Sequence, residues 1–198
     1  MQQQPYTIIL IGPQGSGKGT QLERLATKLR TDHTYAETVA LQSGSLFRAF
    51  ASNTSFAGTC IKETINTGML QPLFLSIGLW ARHMIERVDD KCHMLIDGFP
   101  RTADEAHVLD SALTFYGRNT CHVIVLEAPE ETVRERMQRR ARADDTPEAI
   151  ERRLMWYRTE TKSVLEYYAA LPRYAVHHVD ALRDIDTVKN EIATAVGI

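Results

Sequence analysis

Short apolar runs and longer amphipathic stretches alternate along the whole chain. The runs Thr7-Ile-Ile-Leu-Ile11, 38–42, 93–97, 121–127 and 174–179 are brief and rich in aliphatic or β-branched residues. Four of them lack the strict alternation of a half-exposed strand, as strands covered on both faces should. Between them, helical periods occupy about 17–30, 45–51, 56–67, 71–88, 102–117, 130–141, 146–170 and 185–196. Leu22, Leu25, Ala26 and Leu29 form one apolar stripe; Leu73, Ile77, Trp80, Ala81, Met84 and Val88 form another. In 146–170, Thr146 is placed as an N-cap and Pro147 at the first helical position. Ile150, Leu154, Tyr157, Val164, Leu165 and Tyr168 then supply its inner face. This alternation predicts an α/β fold, a three-layer α/β/α sandwich around a five-stranded parallel sheet with right-handed crossovers. The helical stretch 43–70 is longer than a plain crossover requires, and predicts a small subdomain packed on the sheet.

Directly after the first strand comes Gly12-Pro-Gln-Gly-Ser-Gly-Lys-Gly-Thr20, and directly after that a helix. Strand, glycine-rich turn, Gly-Lys, helix is the context of a phosphate-binding P-loop. Glycines let successive backbone N–H groups turn inward around an anion, and the helix adds its positive dipole end at the same point. Gly15, Ser16, Gly17, Lys18, Gly19 and Thr20 are therefore expected to hold a nucleoside triphosphate, with Lys18 reaching its terminal phosphates. The competing reading is a glycine-rich surface turn with a solvated lysine, which the flanking strand and helix argue against.

A second motif, Asp97-Gly-Phe-Pro-Arg101, closes the strand Met94-Leu-Ile. In an open parallel sheet ligands sit beyond the carboxyl ends of the strands, so both motifs emerge on one edge. Asp97 is suited to order a magnesium ion through its water shell. Gly98 and Pro100 make a tight turn, and Arg101 is then aimed at phosphate, whose oxygens its planar fork grips bidentately.

Charge is otherwise balanced. The 198 residues carry a formal net charge of −2, so no global field pulls the chain toward nucleic acid or an anionic membrane. Against that background Arg134, Arg136, Arg139, Arg140, Arg142, Arg152 and Arg153 form a local concentration. Neighbouring Glu130, Glu131, Glu135, Glu148 and Glu151 allow a solvated, salt-bridged helix face, and this reading is assigned to Arg134, Arg139 and Arg152. Arg140-Ala-Arg-Ala-Asp-Asp145 differs, being a short charged loop between helices that could fold over bound phosphates and exclude water. Only about four residues, Ala141–Asp144, are expected to lie between those helices.

The size suits one domain, and 43% apolar with 24% charged residues is ordinary for a soluble one. Cys60, Cys92 and Cys121 are odd in number and not in CxxC spacing, which disfavours a disulfide framework or a zinc site. No run has the length of a membrane span, and Met1-Gln-Gln-Gln-Pro5 lacks a basic-then-apolar leader, so a cytoplasmic location is expected.

Taken together the motifs resemble the adenylate kinase family. Gly-Pro-Gln-Gly-Ser-Gly-Lys-Gly-Thr-Gln, Asp-Gly-Phe-Pro-Arg-Thr and Arg-Ala-Asp-Asp-Thr-Pro-Glu occur in its order and spacing. Ser43-Gly-Ser-Leu-Phe-Arg48 and Gly68-Met-Leu-Gln-Pro72 look like its monophosphate-site elements. The likeness runs from about residue 6 to 196. It implies a P-loop NTPase fold with a core at 1–42, 71–135 and 146–198, an NMP-binding subdomain at 43–70 and a short lid at 136–145. It also implies a monomer that transfers the γ-phosphoryl of ATP to AMP with Mg²⁺.

By motif, Lys18, Arg101, Arg142 and Arg153 resemble the family's catalytic cations, and Asp97 its magnesium-ordering carboxylate. Arg136 resembles the arginine stacked on the donor adenine, Arg140 a lid phosphate contact, and Asp180-Ala-Leu-Arg-Asp184 the donor-base loop. Ser43, Gly44, Arg48, Leu70, Gly98, Arg101, Glu105, Arg142 and Arg153 resemble the acceptor-site set. No general base is demanded, because the acceptor phosphate is already a nucleophile.

Departures sharpen this reading. The short lid has no four-ligand insert, so no structural zinc is expected. The family's usual Thr-Gly-Asp is Ser43-Gly44-Ser45, and its acceptor-reading glutamine is Glu105. An ionised glutamate accepts hydrogen bonds but cannot donate, so it suits guanine N1–H and N2–H better than adenine N1. GMP, CMP or UMP thus stand as alternative acceptors, unless Glu105 faces solvent and backbone groups read the base. A GTPase-type switch would want Asn-Lys-x-Asp and Asp-x-x-Gly, and neither is present. A catalytically idle nucleotide-binding protein fits poorly with so many retained cations. A small-metabolite kinase would not be expected to carry Asp-Gly-Phe-Pro-Arg.

Overall fold

The computed structural model describes residues 5–32 and 36–198; residues 1–4 and 33–35, assigned above to the core, lie outside the described residues. Five strands, β1 (Thr7–Ile11), β2 (Thr38–Gln42), β3 (His93–Asp97), β4 (Cys121–Glu127) and β5 (Tyr174–Asp180), form one parallel sheet in the order β2-β3-β1-β4-β5. All five coincide with the expected strands, β5 running one residue further.

The apolar runs are explained by burial on both faces. Along β1, Ile9 and Ile11 enter one core with Trp80, Phe99, Leu109 and Tyr168, whereas Ile8 and Leu10 enter the opposite core with Leu22, Leu29, Val188 and Ile192. Side chains alternate across a strand, so a strand between two helical layers needs apolar residues at every position. The first core is covered by α4 (Leu73–Arg87), α5 (Ala103–Phe115) and α8 (Lys162–Ala169); the second by α1 (Lys18–Asp32) and α9 (Ile185–Val196).

The remaining helices surround the carboxyl edge of the sheet: α2 (Ser43–Ala51), α3 (Phe56–Asn66), α6 (Glu130–Arg140) and α7 (Pro147–Trp156). Three helix-level expectations are corrected. The single helix at 146–170 is instead α7, a π-helical turn at Tyr157–Thr161, and α8. Such a wide turn keeps the axis running while rotating the side chains that follow it, a change the apolar period does not reveal. The connection between α6 and α7 is residues 141–146, longer than expected, because Ala141 takes a left-handed conformation and caps α6. Leu73, placed in the buried stripe of α4, is 41% exposed at its first turn. No helix among the described residues is long and apolar enough to cross a membrane.

Candidate functional site

Register brings the two motifs together. Leu10 of β1 pairs with Asp97 of β3, and Gln42 of β2 pairs with Asp97 from the other side. The turn after β1, the turn after β3 and the first turn of α2 therefore leave the sheet side by side. Gly98 shows how tightly: its φ is +87°, and a Cβ there would stand 2.5 Å from Ser43 Oγ. Only glycine meets both conditions.

These turns floor a cleft of about 950 Å³, lined by Gly15–Thr20, Arg48, Asp97, Arg101, Arg142 and Arg153 among others. Gly44, Leu70, Glu105, Arg136 and Arg140 also line it. Ser43 is buried beneath, against Gly98. Apart from Asp180, Leu182 and Asp184 of the loop expected at the donor base, every residue expected at the site is thus in, or directly under, one cavity. That cavity spans the glycine-rich turn at one end and α2–α3 at the other.

Within the glycine-rich turn, Lys18 Nζ donates to the carbonyls of Gly12 and Pro13 at 2.7 and 2.8 Å. Burial pushes its ammonium down to about 8; Asp97 opposes that shift, and Arg101 and Arg140 add to it. Asp97 Oδ1 is a buried carboxylate oxygen with no hydrogen-bond partner among the described residues. Arg101 Nε donates to the Gly98 carbonyl at 2.8 Å. Burial disfavours the Arg101 charge, Glu105 and Asp97 support it, and Arg153 opposes it.

The loop 141–146 is less basic in effect than its sequence. Asp145, whose side chain is fully buried, takes both Nε and Nη2 of Arg140 at 2.9 and 2.8 Å, and Arg153 Nη1 at 2.7 Å. Burial works against its ionisation, yet the Arg140 pair and the Arg153 charge hold its carboxyl below the usual carboxylate value. Asp144 takes Arg153 Nη2 at 2.5 Å. Around this loop the ion pairs go to Arg140 and Arg153, and Arg183, also on the cleft, pairs with Asp180 and Glu191. Among the described residues Lys18, Arg48, Arg101 and Arg142 have none. Arg142 instead feels burial first, then the like charges of Arg140 and Arg48. Cations held this close repel one another, and a polyanion would relieve that cost.

Comparison with known proteins decides the family. The family model described as Adenylate kinase matches residues 10–172. The adenylate kinase of Micrococcus luteus is 36% identical over 193 residues, covering 96% of this chain and 89% of the relative. That of Thermus thermophilus is 35% identical over 195 residues, covering 96% and 97%. That of Mycolicibacterium vanbaalenii is 34% identical over 193 residues, covering 96% and 98%.

The chain belongs to the adenylate kinase family.

Within this adenylate kinase family member, the solvent-facing alternative for Glu105 is closed, and one side chain, Arg152, does not sit where the sequence placed it. Glu105 is not turned to solvent: it is 4% exposed, and its Oε2 accepts from the Arg101 backbone N–H at 2.6 Å. It occupies the third position of α5, whose N-cap Thr102 accepts from the Glu105 N–H at 3.3 Å. A carboxylate there meets the unpaired N–H groups and positive dipole of a helix start. Arg152 is not part of a salt-bridged face either. Arg134 pairs with Glu151 and Arg139 with Glu135, as expected, but Arg152 Nη1 donates to the backbone carbonyl of Thr67.

Sequence reasoning also missed Trp156, which lines the cleft at the end of α7 with a buried indole N–H that has no partner. Its position four residues before Glu160, in a helix read as uniform, gave no signal. Arg136 Nη2 donates to the Ala181 carbonyl at 2.9 Å, which fastens α6 to the loop after β5. No group of three or more His, Cys, Asp or Glu side chains is placed to hold a metal ion among the described residues.

Proposed function

We propose that this chain transfers the γ-phosphoryl group of ATP to AMP, yielding two molecules of ADP, with Mg²⁺ accompanying the nucleotide. One observation carries the reading. A single cleft of about 950 Å³ gathers the glycine-rich turn, Lys18, Asp97 and the arginines Arg48, Arg101, Arg142 and Arg153. A triphosphate and a monophosphate meeting end to end would need such a convergence of positive charge.

The donor triphosphate lies in the glycine-rich turn, with Lys18 exchanging its bonds to Gly12 and Pro13 for phosphate oxygens. Arg136, tied to Ala181, faces the donor base with residues 180–184. The acceptor phosphate is held by Arg48 in the last turn of α2 and Arg101 just before α5. An oxygen of that phosphate attacks the γ-phosphorus, and the bond to the β-phosphate oxygen breaks. Arg142 and Arg153 draw off the charge that spreads over the transferring group. Residues 43–70 serve as the acceptor-side unit and 136–145 as the lid, whose short length leaves charge neutralisation to Arg140 and Arg142.

Asp97 fits a magnesium ion, since its partnerless buried Oδ1 is a hard oxygen ligand beside the phosphate turn. Such an ion would supply positive charge to the donor's phosphates. Asp97 would hold it through water.

Glu105 favours a second acceptor, because a carboxylate accepts from guanine N1–H and N2–H but meets adenine N1 with lone pairs. The deciding experiment is a coupled assay with Mg²⁺·ATP and each of AMP, GMP, CMP, UMP and dTMP. AMP is expected to give the highest kcat/KM, and Lys18→Ala to lower it by about a thousandfold with the fold retained. Absence of turnover with every acceptor would overturn the reading.

A further inference from the structure

We propose that Arg152 is a positioning residue that latches the end of α3 to α7, and thereby holds the acceptor half of the cleft against the phosphoryl-transfer half. The inference rests on the kinase reading for what the two halves bind, and on geometry alone for the latch.

Ala149, Arg152 and Arg153 stand at i, i+3 and i+4 on α7, and so share one face of the helix. All three meet the carboxyl end of α3. Arg152 Nη1 donates to Thr67 O, and Arg153 Nη2 to Ile65 O at 3.1 Å. Gly68, with φ at +69°, is pressed on the Ala149 backbone so closely that a Cβ would lie 2.6 Å from its carbonyl oxygen. The last carbonyls of a helix are short of partners and carry its negative dipole end, so a guanidinium is a favourable cap.

The cap acts on a rigid unit. Thr64 and Gln71 are joined through their side chains at 2.7–2.9 Å, which closes the loop that carries Gly68, Met69 and Leu70. Met69, Leu70 and Gln71 line the cleft, so the seat of Thr67 on α7 decides where that wall stands.

The two arginines divide the work. Arg153 lines the cleft and also binds Asp144 and Asp145, so its bond to Ile65 competes with other partners. Arg152 does not line the cleft, and among the described residues its one side-chain hydrogen bond is to Thr67. A residue outside the cleft that ties one wall to the other alters how often the acceptor site is assembled, not the chemistry within it.

Arg152→Ala is therefore expected to raise KM for AMP about five- to tenfold, the effect of losing one solvent-exposed hydrogen bond. The kcat and the KM for ATP should stay within about twofold. Arg152→Lys, which keeps a cationic donor, should recover most of the loss. Amide hydrogen exchange in residues 65–70 should be faster in Arg152→Ala than in the wild type and be restored in Arg152→Lys. Unchanged exchange in 65–70 overturns the latch. So does an equal rise in both KM values, or a fall in melting temperature with KM for AMP unaltered. If the wild-type chain phosphorylates no nucleoside monophosphate, the kinase reading fails, while the exchange comparison still tests the latch.

Discussion

The carboxylate of Glu105 accepts a hydrogen bond from the backbone N–H of Arg101, four residues earlier, at 2.6 Å. The bond anchors Arg101, proposed above to hold the acceptor phosphate, and leaves the other carboxylate oxygen for the proposed contact with the acceptor base. Glutamine at this position keeps an oxygen for Arg101 and adds an N–H donor. Glu105→Gln is therefore expected to raise kcat/KM for AMP relative to GMP by about tenfold, since a mispaired buried polar contact costs about 1–3 kcal/mol. Glu105→Ala loses the Arg101 anchor as well and should lower kcat/KM with both acceptors. Steady-state kinetics with the two nucleotides separates these effects.

Lys18 makes the pH dependence specific. Its ordinary value is 10.5, and burial lowers it to about 8 in the folded protein. Between those values the unfolded chain binds more protons than the folded one, so this group's contribution makes the fold more stable as pH rises from about 8 to 10.5. Activity runs the other way, because only the ammonium binds phosphate. The kcat/KM for ATP should fall above about pH 8, whereas the limb in kcat lies higher once phosphate oxygens support the charge. Lys18→Arg should be slower and lack this limb. A pH profile of both enzymes, with matching thermal melts of wild type and Lys18→Met, checks both directions.

Trp80 stacks on Phe99 with ring centroids 4.9 Å apart and planes 9° from parallel, both rings buried. Phe99 is the middle residue of Asp97-Gly-Phe-Pro-Arg101, so the core of the domain grips the functional turn through one aromatic pair. Trp80→Ala should cost about 3–5 kcal/mol of stability. It should also lower kcat, since Asp97 and Arg101 lose their support. Trp80→Phe should retain most of both. Urea denaturation and kcat measured on the same preparations test the link.

Much of this fold was legible in the chain because its signals are local. A run such as Thr7–Ile11 is apolar throughout because both of its faces are covered, and the glycine-rich turn must follow such a strand to face a ligand. The same locality explains the errors. A π-helical turn at Tyr157–Thr161 does not interrupt the apolar period enough to be seen. The charged loop looked basic because a sequence shows Arg140, Arg142 and Arg153 but not that Asp144 and Asp145 would be turned inward to meet two of them.

By itself, then, the sequence determined the five strands, most of the helices, the glycine-rich turn and the cations that line the cleft around it. Strand order, the register that sets Leu10 and Gln42 on either side of Asp97, and the partners of Glu105 and Arg152 were decided only by the tertiary structure. Periodicity and turn chemistry act over a few residues, whereas Arg152 and Thr67 are 85 positions apart and meet only once two helices have packed.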